Sequence, residues 1–234
     1  APDIKLYASK HAHGTVVKAV AILGLGTDNI HWLDTDEQGR VIAAKVPPMD
    51  RASILLLQAG NVNSGAFDPF EEICEKAANE GAWIHIDGAF GLWAAGTKRL
   101  NHLTKGIDKA HSWSMDGHKT LNTPYDNGII LCRDEEALVT ALQTSGAYIV
   151  NSINRDGMFY TPEMSRRARA IDLWAALKYL GREGVDELVF GLHEKAQQFA
   201  DEIAKVDGFT VLNDVVFNQV CLLYTSPSPR DLST

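Results

Sequence analysis

Of the 234 residues, 22 are Lys or Arg and 30 are Asp or Glu, a formal net charge of −8, and 45% are hydrophobic. This is the composition of an ordinary folded domain, and its acidic balance offers no basic surface to a nucleic-acid backbone or an anionic lipid headgroup. No apolar run approaches the roughly 20 residues of a membrane-spanning helix, and Ala1-Pro2-Asp3-Ile4-Lys5 lacks the basic-then-apolar succession of a signal peptide; a cytoplasmic protein without nucleic-acid or membrane partners is expected.

In chain order the strand patterns fall at 4–8, 54–58, Trp83–Asp87, Ser112–Asp116, Gly128–Cys132, 209–212 and 217–220. Between them run helix patterns at 13–23, 69–79, 135–143, 166–180 and 185–206. The last is the most regular: Val185, Leu188, Val189, Leu192, Ala196, Phe199, Ala200 and Ile203 recur at three- and four-residue steps, and Asp207-Gly208 supplies the stop. Alternating strands and helices predict an α/β fold, a mostly parallel sheet flanked by helices.

Gly181 and Gly184 bracket a turn, so residues 1–180 are read as one large domain and 181–220 as a connecting helix and the start of a smaller one. The Ser/Pro-rich stretch after Val220 breaks the strand pattern, and 221–234 is read as a non-native tail. The chain opens on a strand pattern without an initiator Met, and an internal piece of a longer protein is expected. Cys74, Cys132 and Cys221 have neither CxxC spacing nor clustered histidines and are read as reduced packing residues.

Two segments carry chemistry: Ile84-His85-Ile86-Asp87-Gly88-Ala89, and Ser114-Met115-Asp116-Gly117-His118-Lys119, with Asp87 and Lys119 separated by 32 positions. Each sets a charged residue where an apolar strand gives way to a glycine-containing turn. In a parallel sheet the carboxyl ends of the strands gather on one edge, where such folds bind ligands, so Asp87 and Lys119 are expected to face one crevice. Alone, the Asp has an ordinary reading as a turn residue and the Lys as a solvated one. Together they meet the needs of pyridoxal 5′-phosphate (PLP): an amine that condenses with its aldehyde, and a carboxylate that keeps its pyridine nitrogen protonated.

Four segments occur in family order: Ala8-Ser9-Lys10-His11-Ala12-His13-Gly14-Thr15-Val16, the run from Gln58 through Asn63 to Pro69, His85-Ile86-Asp87-Gly88-Ala89-Phe90-Gly91, and Asp116-Gly117-His118-Lys119. Through them the chain resembles the PLP-dependent group II amino-acid decarboxylases of the aspartate aminotransferase, fold type I, superfamily over most of 4–220. The resemblance implies a PLP-binding large domain, an L-amino acid as substrate, and a homodimer with its active site near the subunit interface. It makes Lys119 the residue that carries the cofactor, Asp87 the partner of the pyridine nitrogen, and Ala89 the small residue under one ring face. It further implies that His118 helps hold the phosphate and that His13 stacks on the other ring face, steering the substrate carboxylate and later proton transfer.

Asn63 follows the 54–58 strand, where it either hydrogen-bonds the cofactor or serves an Asx turn. His11 is read as a surface residue. Family members protonate the substrate carbon from a mobile-loop tyrosine, for which Tyr148 and Tyr160 are the candidates here; Arg166 and Arg167 are read as ion-pair partners. The family's phosphate-cradling Gly/Ser turn and small domain are missing from these residues, so weak catalysis by this stretch alone is expected.

Rival readings are weaker. Gly24-Leu25-Gly26 follows a helix pattern and lacks the third glycine of a dinucleotide fingerprint. His85, Asp87 and His118 are usable metal ligands without metal-site spacing, and no metal is expected. A purely binding role has no support while Lys119 and Asp87 are both present. Aminotransferases, aldolases and desulfurases share that pair and stand as alternatives within PLP chemistry.

Overall fold

The computed structural model describes residues 3–143 and 155–224. Six strands, β1 (Lys5–Ser9), β2 (Ile30–Leu33), β3 (Ser53–Gln58), β4 (Trp83–Asp87), β5 (Ser112–Asp116) and β6 (Gly128–Cys132), form one sheet in the order β2-β1-β3-β4-β5-β6. All neighbours are parallel except β5 and β6. The expected α/β class is therefore observed. Strand β2 has no counterpart in the sequence reading: in its four residues Ile30 and Leu33 are buried and His31 and Trp32 exposed, a pattern that matches neither alternation nor a continuous apolar run.

One face of the sheet carries the main core. Leu55, Leu57, Ile84 and Ile86, each fully buried, pack with Phe70, Ile73, Cys74 and Ala77 of α2 (Phe70–Asn79) and with Val185 and Val189 of the long helix α5 (Ala170–Ile203). Full burial of each large apolar side chain contributes roughly 1.5–3 kcal/mol. The same burial pushes the Cys74 thiol up to about 12, which leaves it an inert packing group. The opposite face, with Leu6, Ala8, Ile54 and Leu56, meets α1 (Gly14–Ile22) through Val20.

The two expected helices at 166–180 and 185–206 are one run, α5, broken at Gly181, whose φ of 62° with ψ of −176° only glycine adopts without strain. The short helices α3 (Gly117–Thr120) and α4 (Glu135–Leu142) follow β5 and β6. No helix among the described residues is long and apolar enough to cross a membrane.

The strand expected at 217–220 is displaced. Strands β7 (Phe209–Val211) and β8 (Leu222–Tyr224) form a separate antiparallel pair, so pairing begins just beyond Cys221, where the tail was expected to start. Phe217 instead leaves the strand path to fill an aromatic slot, edge-on to Phe67 at 5.5 Å and stacked on Phe90 at 6.1 Å. Its carbonyl accepts a 2.8 Å hydrogen bond from buried His193 Nδ1. Burial of one aromatic ring outweighs the strand pattern of its neighbours.

Asp68 locks the turn after β3. Its fully buried carboxyl accepts the N–H groups of Val41 and Gln58, both at 2.7 Å, while burial raises its pKa to about 6. Between the unfolded value near 4 and the folded value near 6, the folded state holds a proton that the unfolded chain has released. Stability therefore falls as pH rises through this window, by about 3 kcal/mol for the two-unit shift, and levels off above it. Urea denaturation from pH 4 to 7 is expected to show this slope, and Asp68→Ala to lose the slope together with about 2–4 kcal/mol from two orphaned N–H donors.

Candidate active site

The carboxyl ends of β3 and β4 meet in register, Gln58 pairing with Asp87, while β5 pairs its Ser114 with Asp87 and runs two residues further to Asp116. Above this edge lies a cavity of about 760 Å³ lined by Gln58, Asp87 and Ser114 and by His13, Ala89, Asp116 and Lys119, among others. Parallel strands deliver their ends to one side, so residues distant in sequence converge there.

Each side chain is held by its own backbone context. Asp87 closes β4, and its Oδ1 accepts the Ala89 N–H at 3.2 Å. Asp116 closes β5; its N–H donates to the Ala89 carbonyl at 2.9 Å and its carbonyl accepts from Trp93 Nε1 at 3.0 Å, tying the two strand ends together. Lys119 sits one helical turn later on α3, with Nζ 3.0 Å from Asp116 Oδ2. His13 caps α1: its Nδ1 accepts the Thr15 N–H at 3.2 Å and lies 2.8 Å from the Thr15 hydroxyl, and the residue lines the cavity.

Not every expected residue faces the cavity. His118 Nδ1 accepts the Asn127 N–H at 3.0 Å, so its proton lies on Nε2, which points to Asp116 Oδ2 at 3.6 Å; the ring packs on Tyr125. Neither His118 nor Asn63 is a lining residue. Asn63 is exposed and its N–H donates to Asn61 Oδ1 at 2.9 Å, so the Asx turn at this place belongs to buried Asn61. His11 is exposed. Tyr160 donates to Glu135, and Tyr148 lies outside the described residues. Arg166 pairs with Glu163 at 3.5 Å and Arg167 with Asp126 at 3.3 Å.

His85, two residues before Asp87 on the same face of β4, has Nδ1 2.8 Å from Ser112 Oγ and Nε2 3.2 Å from Ser114 Oγ. Burial lowers its pKa, partly opposed by Asp87. Both ring nitrogens are occupied by hydroxyls, an arrangement of a packed neutral imidazole.

Sequence reasoning missed Gln58, Ser114 and Asp116 as lining residues, although Gln58 and Asp116 obey the strand-end rule that singled out Asp87; Ser114 stands two residues before the end of β5. It also missed Asn218 and Gln219, which no local motif marks; Phe217 anchors them beside the β3 turn. Two buried polar atoms in this cavity, Gln58 Nε2 and Asn218 Oδ1, have no hydrogen-bond partner.

The floor depends on a close approach. A Cβ on Gly91 would lie 2.1 Å from the Ala59 carbonyl oxygen, on the turn that follows β3. Gly91→Ala is expected to push the β3 and β4 ends apart, lowering stability by about 3 kcal/mol in thermal denaturation and weakening any ligand bound at Asp87.

The model of the pyridoxal-dependent decarboxylase conserved domain matches residues 3–225. The chain belongs to the pyridoxal-dependent decarboxylase family. Its cofactor is PLP.

Among curated relatives, the aspartate 1-decarboxylase of Aliivibrio fischeri is 30% identical over 94% of this chain and 41% of its own length. The acidic amino acid decarboxylase GADL1 of Mus musculus is 28% identical over 99% of this chain and 44% of its own. The chain thus spans less than half the length of these relatives. The crystal structure of mouse CSAD in apo form superposes with a TM-score of 0.86 at 26% identity, covering 100% of this chain and 51% of that one. The cavity fits the family's cofactor: it offers one amine, two strand-end carboxylates, of which Asp116 is paired with the amine and Asp87 is not, and two buried amide atoms still lacking partners.

Proposed function

We propose that the whole protein removes the α-carboxylate of an L-amino acid as carbon dioxide and releases the amine, working as a cytoplasmic homodimer. The observation that carries this reading is the convergence of His13, Asp87, Ala89 and Lys119, from separate segments of the family pattern, around one cavity. The curated relatives named above act, by their names, on acidic amino acids, which supports a small acidic substrate.

When bound, PLP supplies an aldehyde that joins amines and a ring that takes up electrons released at the substrate α-carbon. Lys119 is the residue that holds it covalently, with Asp116 keeping the amine at the cavity edge. Asp87, fixed by the Ala89 N–H, holds a proton at the ring nitrogen, and the small Ala89 leaves room for the ring. His13, held at Nδ1 by the Thr15 N–H, would use Nε2 to steer the substrate carboxylate and the proton returned to the α-carbon. His118 acts from behind Lys119 through Asp116.

The test is incubation of the PLP-loaded protein with carboxyl-labelled L-aspartate, L-cysteine sulfinate, L-glutamate and L-tryptophan. Labelled carbon dioxide with the matching amine is expected from an acidic substrate. Release of a 2-oxo acid without carbon dioxide would assign an aminotransferase instead.

A further inference from the structure

We propose that the Thr15 hydroxyl is a positioning group for His13, accepting the ring's Nδ1 proton whenever Nε2 gives its own proton away. The inference rests on the reading above in which His13 returns a proton to the substrate α-carbon.

The turn between β1 and α1 brings the two side chains together. Fully buried Ser9 holds that turn, its hydroxyl accepting the His11 N–H at 3.0 Å and its carbonyl the Ala12 N–H at 2.9 Å. His13 follows as the N-cap of α1 in an extended conformation. Its Nδ1 meets Thr15 twice, at the backbone N–H (3.2 Å) and at the hydroxyl oxygen (2.8 Å). Both residues line the cavity that also holds Asp87 and Lys119. The cap itself uses only the backbone N–H, which any residue but proline supplies at this position, so capping does not account for the hydroxyl contact.

A backbone N–H can only donate, so Nδ1 of the resting ring is an acceptor and the ring's single proton lies on Nε2. Giving that proton away would leave an anion. The ring therefore first takes a proton from solvent at Nδ1, which then faces an N–H unable to accept it. The hydroxyl both donates and accepts: it turns its own hydrogen aside and receives Nδ1–H. The Nε2 proton passes to the α-carbon and leaves a neutral ring whose proton sits on Nδ1, still held at Thr15 Oγ1. Loss of that proton to solvent and uptake of another at Nε2 restore the resting ring. The hydroxyl favours the charged ring over the neutral one, because a hydrogen bond from an ionised donor is the stronger of the two.

The experiment uses the whole PLP-loaded protein as wild type, as Thr15→Val, which keeps the shape and the backbone N–H without the hydroxyl, and as Thr15→Ser, which restores the hydroxyl. The His13 ring nitrogen resonances, assigned by their loss in His13→Gln, are followed against pH beside kcat, KM and bound PLP. Asp87, Asp116 and Lys119 face the same cavity, and His11 and Lys18 flank His13 in the chain; all are common to the three proteins, so a difference between them reports the hydroxyl. Thr15→Val is expected to take its second ring proton at a pH lower by about 0.7 unit and, above that pH, to lose about fivefold in kcat. KM and PLP content are expected to hold, and Thr15→Ser to restore both losses. An unmoved ring midpoint in Thr15→Val overturns the proposal, as does a shifted midpoint with wild-type kcat. If Thr15→Val takes up less PLP, the ring midpoint of the loaded fraction decides in the same way. Wild-type kcat in His13→Gln overturns the proton-return reading and the Thr15 role with it, whereas a slow His13→Gln beside an unmoved Thr15→Val rejects Thr15 alone.

Discussion

Lys119→Ala protein, mixed with PLP and reduced with borohydride, is expected to yield no phosphopyridoxyl peptide, whereas wild type yields one that maps to Lys119. Turnover is expected to fall roughly 10³-fold or more, about 4 kcal/mol of barrier. The fold is expected to survive. The Lys119 side chain is 40% exposed, and its contact with Asp116 is a partly solvated ion pair whose loss changes stability little. A label on another lysine, or wild-type turnover in the variant, would remove Lys119 from its assigned role. Because α3 places Lys119 one turn past the end of β5, the same reduction read in Asp116→Asn reports whether the carboxylate steers the amine: slower labelling at unchanged stability is the sign of steering.

Asp87→Asn is expected to retain the covalent label on Lys119 and to lose about 3 kcal/mol of rate acceleration, a hundredfold or more in kcat. An asparagine keeps the shape of the strand end and can still accept the Ala89 N–H, but it supplies no negative charge to hold a proton at the ring nitrogen. The effect separates from misfolding because β4 enters the core through Ile84 and Ile86, on the face opposite Asp87. Steady-state kinetics beside a melting curve give the answer, and an unaltered kcat would refute the electrostatic role.

Much of the site was legible in the residues because it follows one rule applied to short motifs. Asp87 and Lys119 each stand where an apolar strand ends, and a parallel sheet carries such ends to a single edge. Gln58 and Asp116 stand at strand ends too, but a Gln and a second Asp have so many other roles that composition alone does not mark them. His118 shows the opposite failure: its place beside Lys119 suggests a shared cavity, whereas adjacent helical positions point about 100° apart, and its ring turns to Asn127 and Tyr125.

What the sequence by itself determined was the α/β class, nearly all of the sheet, the break between two helical stretches at Gly181, and the acid and amine at the cavity, because hydrophobic periodicity and glycine conformation are local properties. Tertiary structure alone decided the rest. It gave the four-residue edge strand β2 a partner in β1, drew Phe217 out of a strand pattern into the slot between Phe67 and Phe90, and thereby set Asn218 beside the cavity. It also left the Gln58 amide buried without a partner. These features depend on which surfaces meet after folding, where burial of a ring or satisfaction of a polar atom is settled by residues far away in the chain.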